Sequence, residues 1–311
     1  MTHAPKDSKI ERKPQDGLAQ SFPASGESLI AAGAQAQTLP AGLYLVATPI
    51  GNLRDITLRA LDILRGADVI YAEDTRQTGK LLSAYDISAR MTAYHDHNAA
   101  KRVPGIVAQI EDGKSVALVS DAGTPLVSDP GFKLARAVAD AGLDIIPIPG
   151  ASAALAGLLT SALPSDKFLF AGFLPPKSAA RKTALSELAT IKATLIFFEA
   201  GTRVDKTLND MLSVLGDRPA ALARELTKHY EETRRGTLSE LITSVNEDAP
   251  RGEIVLVIGG AGDAPAWDAA KIDAALMALI KDEGVKRAAN IVAEQSGVAK
   301  REVYARALNL K

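Results

Sequence analysis

Asp121 stands just after the apolar, β-branched run Val116–Val119 and is followed by Gly123, Pro125, Pro130 and Gly131. The run has the pattern of a buried parallel strand, and the breakers behind it let neither strand nor helix continue. Apolar residues return at helical spacing from Phe132, so the loop is longer than the about two to six residues of a minimal strand-to-helix connection. Such loops, at the carboxyl ends of parallel strands, are where open α/β sheets hold ligands. Ala122 and Gly123 leave room for a ligand close to the backbone. Pro49–Leu53, Glu73–Arg76 and Pro149–Ser152 also follow predicted strands, and parallel topology would bring all four loops to one sheet edge. Aspartate and glycine are also ordinary turn residues, and Asp74 or Thr75 could simply cap a helix. None of the four carries a dinucleotide GxGxxG or a P-loop, and no GxSxG nucleophile is present. These turns suit rather a ligand held by backbone groups, such as an adenosine without a phosphate chain.

His95-Asp96-His97 is the other cluster of reactive side chains. Alternation along a predicted strand, Met91–Asn98, puts both imidazoles on one face, as joint metal coordination requires. No third ligand stands nearby in the sequence, so the expectation is polar hydrogen bonding at the loop and no metal. Positive charge gathers at Arg54 and Arg59, at Lys177, Arg181 and Lys182, and at Arg224, Lys228, Arg234 and Arg235. Charge runs are usually solvated faces. These sit beside loops, which leaves a polyanionic partner open.

The elements that must position these groups belong to a chain of 311 residues, long enough for two domains. Its 37 acidic and 36 basic residues nearly cancel, so no global field draws it to nucleic acid or to a membrane. The absence of cysteine excludes disulfides, thiolate metal sites and cysteine nucleophiles together. The most apolar region, 143–163, is broken by Pro147, Pro149 and Gly150 and reads as strand, turn and buried helix rather than a membrane span. Residues 28–37 are too short and alanine-rich for a secretion signal.

Residues 1–39 are polar and without periodicity, the pattern of a disordered tail. From 40 to 164, strands at Leu43–Thr48, Asp68–Ala72, Met91–Asn98, Val116–Val119 and Asp144–Ile148 alternate with helices. That spacing implies a mostly parallel sheet covered on both faces. A second α/β domain is expected over 165–262, with strands at Phe168–Gly172, Thr194–Glu199, Ala220–Glu225 and Glu253–Ile258, the last closing the sheet. After a linker at Gly260–Trp267, residues 266–311 read as a small helical module. Ala289–Leu308 has a helix-turn-helix cadence that suits a DNA reader or a packing unit equally.

Taken in order, LYLVATPIGNLRDITLRAL (43–61), YAEDTRQTGKLL (71–82), AYHDHN (93–98), LVSDAGTPLVSDPG (118–131), PIPGASA (147–153), FAGFLPPK (170–177), FFEAGTR (197–203), ARELTK (223–228) and GEIVLVI (252–258) carry a resemblance. Together they resemble the family of ribosomal RNA small-subunit methyltransferase I, within the tetrapyrrole methylase superfamily. Asp96 stands where the family pattern has glutamate. The resemblance implies two α/β domains of the tetrapyrrole methylase type, with the cofactor cleft between them, and a homodimer in the cytoplasm. It implies S-adenosyl-L-methionine framed by Pro49, Gly51, Asp121, Gly123, Thr124, Pro125, Ser152 and Ala153, with Phe198, Leu226 and the Glu253 region completing the pocket. The implied reaction is 2′-O-methylation of a cytidine in the decoding region of 16S rRNA, free or in the small ribosomal subunit. A ribose hydroxyl is a weak nucleophile, so alignment and a proton acceptor are both needed. His95, His97, Glu225 and Glu73 are rival acceptors, and Lys228 could lower the hydroxyl pKa. Arg54, Arg59, Arg76, Lys177, Arg181 and Arg224 are the implied RNA contacts. A tetrapyrrole or other small-molecule methyltransferase on the same scaffold, or a non-enzymatic nucleic-acid-binding regulator acting through 289–308, are the alternatives.

Overall fold

A computed structural model describes residues 38–262 and 267–310. The tail expected before residue 38 and the middle of the expected linker lie outside the described residues.

The first sheet is wholly parallel, in the order β3-β2-β4-β1-β5. Its strands are β1 (Gly42–Val46), β2 (Val69–Ala72), β3 (Met91–Ala93), β4 (Ser115–Val119) and β5 (Ile145–Ile148). Central β4 is buried along its whole length, which is why it shows no polar alternation. Ala117 and Val119 face a cluster with Ala60, Leu61 and Leu64 of α1 (Leu58–Gly66), while Val116 and Leu118 face the opposite cluster. There they meet Ile106 and Ile110 of α3 (Asp96–Glu111) and Leu134 and Val138 of α4 (Phe132–Asp140). Each such side chain contributes about 1.5–3 kcal/mol when fully buried. Helix α2 (Thr75–Ala84) starts at Asp74, whose carboxylate accepts the Arg76 N–H.

One expected element is corrected. The strand drawn to Asn98 stops at Ala93, and His95 is the N-cap of α3, its own N–H donating to Asn98 Oδ1 at 3.0 Å. His95 and His97 therefore do not share a strand face, although their rings still meet edge-on with centroids 5.9 Å apart.

The second sheet runs β6-β7-β10-β8-β9. Only β6 (Phe168–Phe173) and β7 (Thr194–Ala200) pair parallel; β10 (Glu253–Ile258) runs antiparallel between β7 and β8 (Pro219–Arg224). The last strand in sequence is thus central, not an edge. The edge is β9 (Glu232–Thr237), hairpinned to β8 and made of the charged run ETRRGT. Helices α6 (Ser178–Leu188), α7 (Val204–Leu215) and α8 (Leu238–Glu247) bury one face through Leu185, Leu208, Met211 and Leu241. The other face is covered by α5 (Ala153–Ser161), which follows β5 of the first sheet yet packs Ala154 and Leu158 on Ile196, Ala221 and Val255. A Cβ on Gly157 would lie 2.6 Å from Val255 Cγ1, so the helix sits on the central strand more closely than any larger residue permits. That contact fastens the two sheets together.

Helix α9 (Ala269–Ser296), broken at Gly284, and α10 (Lys300–Asn309) form a separate unit around Leu276, Val292, Val303 and Ala307. Its turn is made at Gly297, with φ of 69°. Among the described residues no helix is long and apolar enough to cross a membrane.

Candidate functional site

The loops after β1, β2, β4 and β5 meet at the carboxyl edge of the first sheet and hydrogen-bond one another. Thr48 N–H donates to Gly123 O at 2.8 Å and Gly123 N–H to Thr48 O at 3.0 Å. Asp74 N–H donates to Asp121 Oδ1 at 2.9 Å, and the Thr124 hydroxyl to Ala151 O at 3.2 Å. Gly123 takes a φ of 77°, and Leu126 and Ser128 are held at 72° and 64° despite their side chains. Non-glycine residues in that region carry strain that surrounding contacts must hold in place.

Facing this edge are the ends of β6, β7 and β10 and the corner after β8. The space between is a cleft of about 280 Å³, lined by Ile50, Glu73, Asp121, Gly123, Thr124, Asp129, Ser152, Ala153, Phe173, Phe198, Glu225, Leu226, Lys228 and Val255 among others. The corner is strained too, with φ of 48° at Glu225 and 66° at Thr227. It is latched across the cleft: Asn52 N–H donates to Thr227 Oγ1 at 3.0 Å. A Cβ on Gly51 would fall 2.5 Å from Lys228 Cγ and 3.0 Å from Leu226 O. Gly51→Ala is therefore expected to push Leu226 and Lys228 out of place, lowering stability by about 1–3 kcal/mol. Thermal unfolding of the pair of proteins checks this; an unchanged midpoint would mean the corner yields freely.

Negative charge collects on the floor. Burial, then the nearby Asp121 charge, raises the Glu73 pKa above the usual carboxylate range, although Asp121 N–H hydrogen-bonds it. Asp129 is pushed up to about 6 by burial and by Glu73, against a hydrogen bond from the Ser120 hydroxyl. Glu199 and Glu225 are paired, with Arg203 at 3.3 Å and Lys228 at 3.1 Å. Among the described residues no ion pair reaches Glu73, Asp121 or Asp129. Such a floor suits a cation, and the apolar wall of Ile50, Phe198, Leu226 and Val255 suits a flat, uncharged group.

Of the residues singled out from the sequence, Asp121, Gly123, Thr124, Ser152, Ala153, Phe198 and Leu226 line the cleft, as do Glu73, Glu225 and Lys228. Pro49, Gly51 and Pro125 are not among the lining residues. His95 and His97 do not line it; His95 lies close enough to Glu73 for its charge to act on that carboxyl. Arg54 is exposed in a short 3-10 turn and Lys177 is exposed just before α6. Arg59 donates to Pro147 O at 2.8 Å, the exposed Arg76 pairs with Asp74 at 2.7 Å, and Arg224 pairs with Glu232. Arg181 is the correction. Its side chain is 3% exposed and bound to Asp210 at 2.6 Å, inside the second domain's helical layer, where no phosphate can reach it. Sequence reasoning passed over Asp129 and Phe173, though both lie inside the quoted stretches LVSDAGTPLVSDPG and FAGFLPPK.

Residues 42–242 match the family model described as Tetrapyrrole (Corrin/Porphyrin) Methylases, and residues 266–311 match one described as the RsmI C-terminal HTH domain. The chain is 50% identical over 278 residues to the ribosomal RNA small subunit methyltransferase I of Mesorhizobium japonicum, covering 89% of this chain and 94% of that one. It is 47% identical to the protein of the same name from Vibrio cholerae, covering 86% and 96% of the two chains. Among solved structures, a cobalamin biosynthetic enzyme, cobalt precorrin-4 methyltransferase, aligns with a TM-score of 0.54 at 19% identity, over 70% of this chain and 94% of that one. At that identity the likeness concerns the fold alone.

Proposed function

The chain belongs to the ribosomal RNA small subunit methyltransferase I family of the tetrapyrrole methylase fold, and from that premise we propose that it methylates the ribose 2′-hydroxyl of a cytidine in the decoding region of 16S rRNA, with S-adenosyl-L-methionine as donor. The observation that carries this is the cleft itself: unpaired carboxylates below and an apolar wall beside them, on loops whose sequence has no P-loop. A phosphate-free adenosyl sulfonium has that complement of charge and shape.

Bound there, S-adenosyl-L-methionine supplies an electrophilic methyl on a positively charged sulfur. Asp121, fixed by the Asp74 N–H, and the neighbouring Glu73 and Asp129 would hold the cationic end. Ile50, Phe198 and Leu226 would cover the adenine and keep water from the reacting atoms. The Glu73 carboxylate is the proton acceptor we favour for the substrate hydroxyl, because its raised pKa brings it nearer the working pH. Lys228 Nζ, donating to Glu225 Oε1 at 3.1 Å, orients that carboxylate of the cleft. His95 stands near Glu73, and its ring meets that of His97 edge-on. Exposed Arg54, Arg76 and Lys177 suit phosphate contacts, each adding to a salt-dependent affinity. A homodimer acting on the small ribosomal subunit in the cytoplasm completes the proposal.

Mass spectrometry of 16S rRNA from a strain lacking this protein is expected to show the decoding-region cytidine without its ribose methyl. Purified protein and labelled S-adenosyl-L-methionine should restore it on small subunits. An unchanged methylation state, or label passing instead into a porphyrinoid acceptor, would defeat the assignment.

A further inference from the structure

Phe173 is a large aromatic residue left 60% exposed at a lip of the cleft. Single exposed apolar residues are common and need no explanation, but three features set this one apart. The first is a break in the strand that carries it. Pairing of β6 with β7 slips between Phe170 and Gly172, so that Phe173 comes opposite Phe198. Gly172 has a φ of 65°, and a Cβ there would lie 2.9 Å from Ser128 Oγ on the loop of the opposite wall. A bulge with a glycine in the left-handed region re-aims the next side chain, and such bulges gather beside active sites.

The second feature is support. The Phe173 ring rests edge-on against Phe198 with centroids 5.5 Å apart, and Phe198 is held in turn by Phe170 at 4.8 Å. An edge-on contact fixes a ring while leaving a face free for stacking. The third is company. Val127, 39% exposed, lines the same cleft from the other wall, and the exposed Lys177 follows four residues after Phe173. A flat apolar face at the lip of a cleft, with an exposed cation close in the chain, suits a nucleotide drawn out of its stack with its base on the ring.

Resting on the methyltransferase assignment above, we propose that Phe173 is the stacking platform for the base of the nucleotide whose ribose is methylated. The ring orients the nucleotide so that its 2′-hydroxyl enters the cleft, and it takes no part in holding the methyl donor.

The test is steady-state methylation of small-subunit rRNA by wild type and by Phe173→Ala, Phe173→Leu and Phe173→Trp, with donor affinity measured by calorimetry. Phe173→Ala and Phe173→Leu are expected to raise KM for RNA about tenfold or more, with donor affinity changed less than about twofold. Phe173→Trp should stay near wild type. A Phe173→Leu protein with wild-type KM would overturn stacking in favour of plain apolar contact. Phe173→Ala with unchanged RNA kinetics, or with donor affinity lost in parallel, would overturn the inference outright. A wild type that binds donor but labels no rRNA removes the assignment and the inference together; normal labelling with an indifferent Phe173→Ala removes the inference alone.

Discussion

Arg181→Ala is expected to destabilise the protein by about 3–5 kcal/mol, the usual cost of breaking one side of a buried ion pair. Arg181 Nε donates to Asp210 Oδ2 at 2.8 Å, and its Nη1 donates to Pro176 O at 3.1 Å. Without the guanidinium, Asp210 keeps the Ser178 hydroxyl at 3.0 Å and the more distant Lys182 Nζ at 3.4 Å, and it stays buried between α6 and α7. Burial by itself would raise the Asp210 pKa; the Ser178 and Arg181 hydrogen bonds outweigh it and hold the carboxyl below its usual range. A depressed folded-state value means that the pair's contribution is fully present above the unfolded carboxyl pKa of about 4. It is lost as pH falls through the folded value. The variant's melting point should therefore drop by about 10 °C at pH 7, and the gap should close in acid. Replacing both partners by apolar residues, Arg181→Met with Asp210→Leu, should recover much of the loss. An RNA-gripping arginine would behave oppositely, raising KM for RNA and leaving the melting point alone. That outcome would restore the phosphate contact expected from the sequence.

Arg181 also marks where a sequence stops being informative. Its partner stands 29 residues on, in another helix, and nothing local separates a cation facing solvent from one facing a carboxylate across a packed layer. The buried strands were legible because their signal is local: β4 and β10 are unbroken apolar runs that no other element explains. The edge strand β9 carries no such signal. Its Arg234 is 10% exposed between Glu232 and Asp248, so charge that looked solvated is satisfied inside the edge. The four loops of the site could be read off because strand, breaker and returning helix fix the topology, and topology alone brings them to one edge. His95 was misplaced because alternation presumes a strand, and an Asn three residues ahead made it a helix cap instead. The wall from the second sheet was visible only through family resemblance. Its strained corner at Glu225–Lys228 depends on contacts with Asn52 and Gly51, far away in sequence.

Asp129→Asn should make the free protein more stable at pH 8 and a poorer binder of its donor. The carboxyl is pushed up to about 6, first by burial and then by Glu73. An acid whose folded-state pKa exceeds its unfolded value binds more protons when native. Stability of the free protein accordingly falls as pH rises from about 4 to about 6, and above that the ionised group is a standing cost. An amide of the same shape removes the charge. After allowance for solvent screening, the variant should gain roughly 1–2 kcal/mol at pH 8, and the gain should vanish below about pH 4. A cationic ligand reverses the sign, because the ionised carboxylate then faces an opposite charge. Wild-type affinity for S-adenosyl-L-methionine should climb as pH rises through about 6 and level off above it. Asp129→Asn should bind about tenfold more weakly at pH 8, roughly 1.4 kcal/mol, with a shallower pH dependence left by Glu73. Stability held back by groups that a ligand requires is a common trade at binding sites. Calorimetry and thermal unfolding at pH 4, 6 and 8 read both halves. A variant that is neither more stable at pH 8 nor weaker in binding would mean that the acidic floor does not hold the cation, and the charge complementarity behind the proposed function would fail with it.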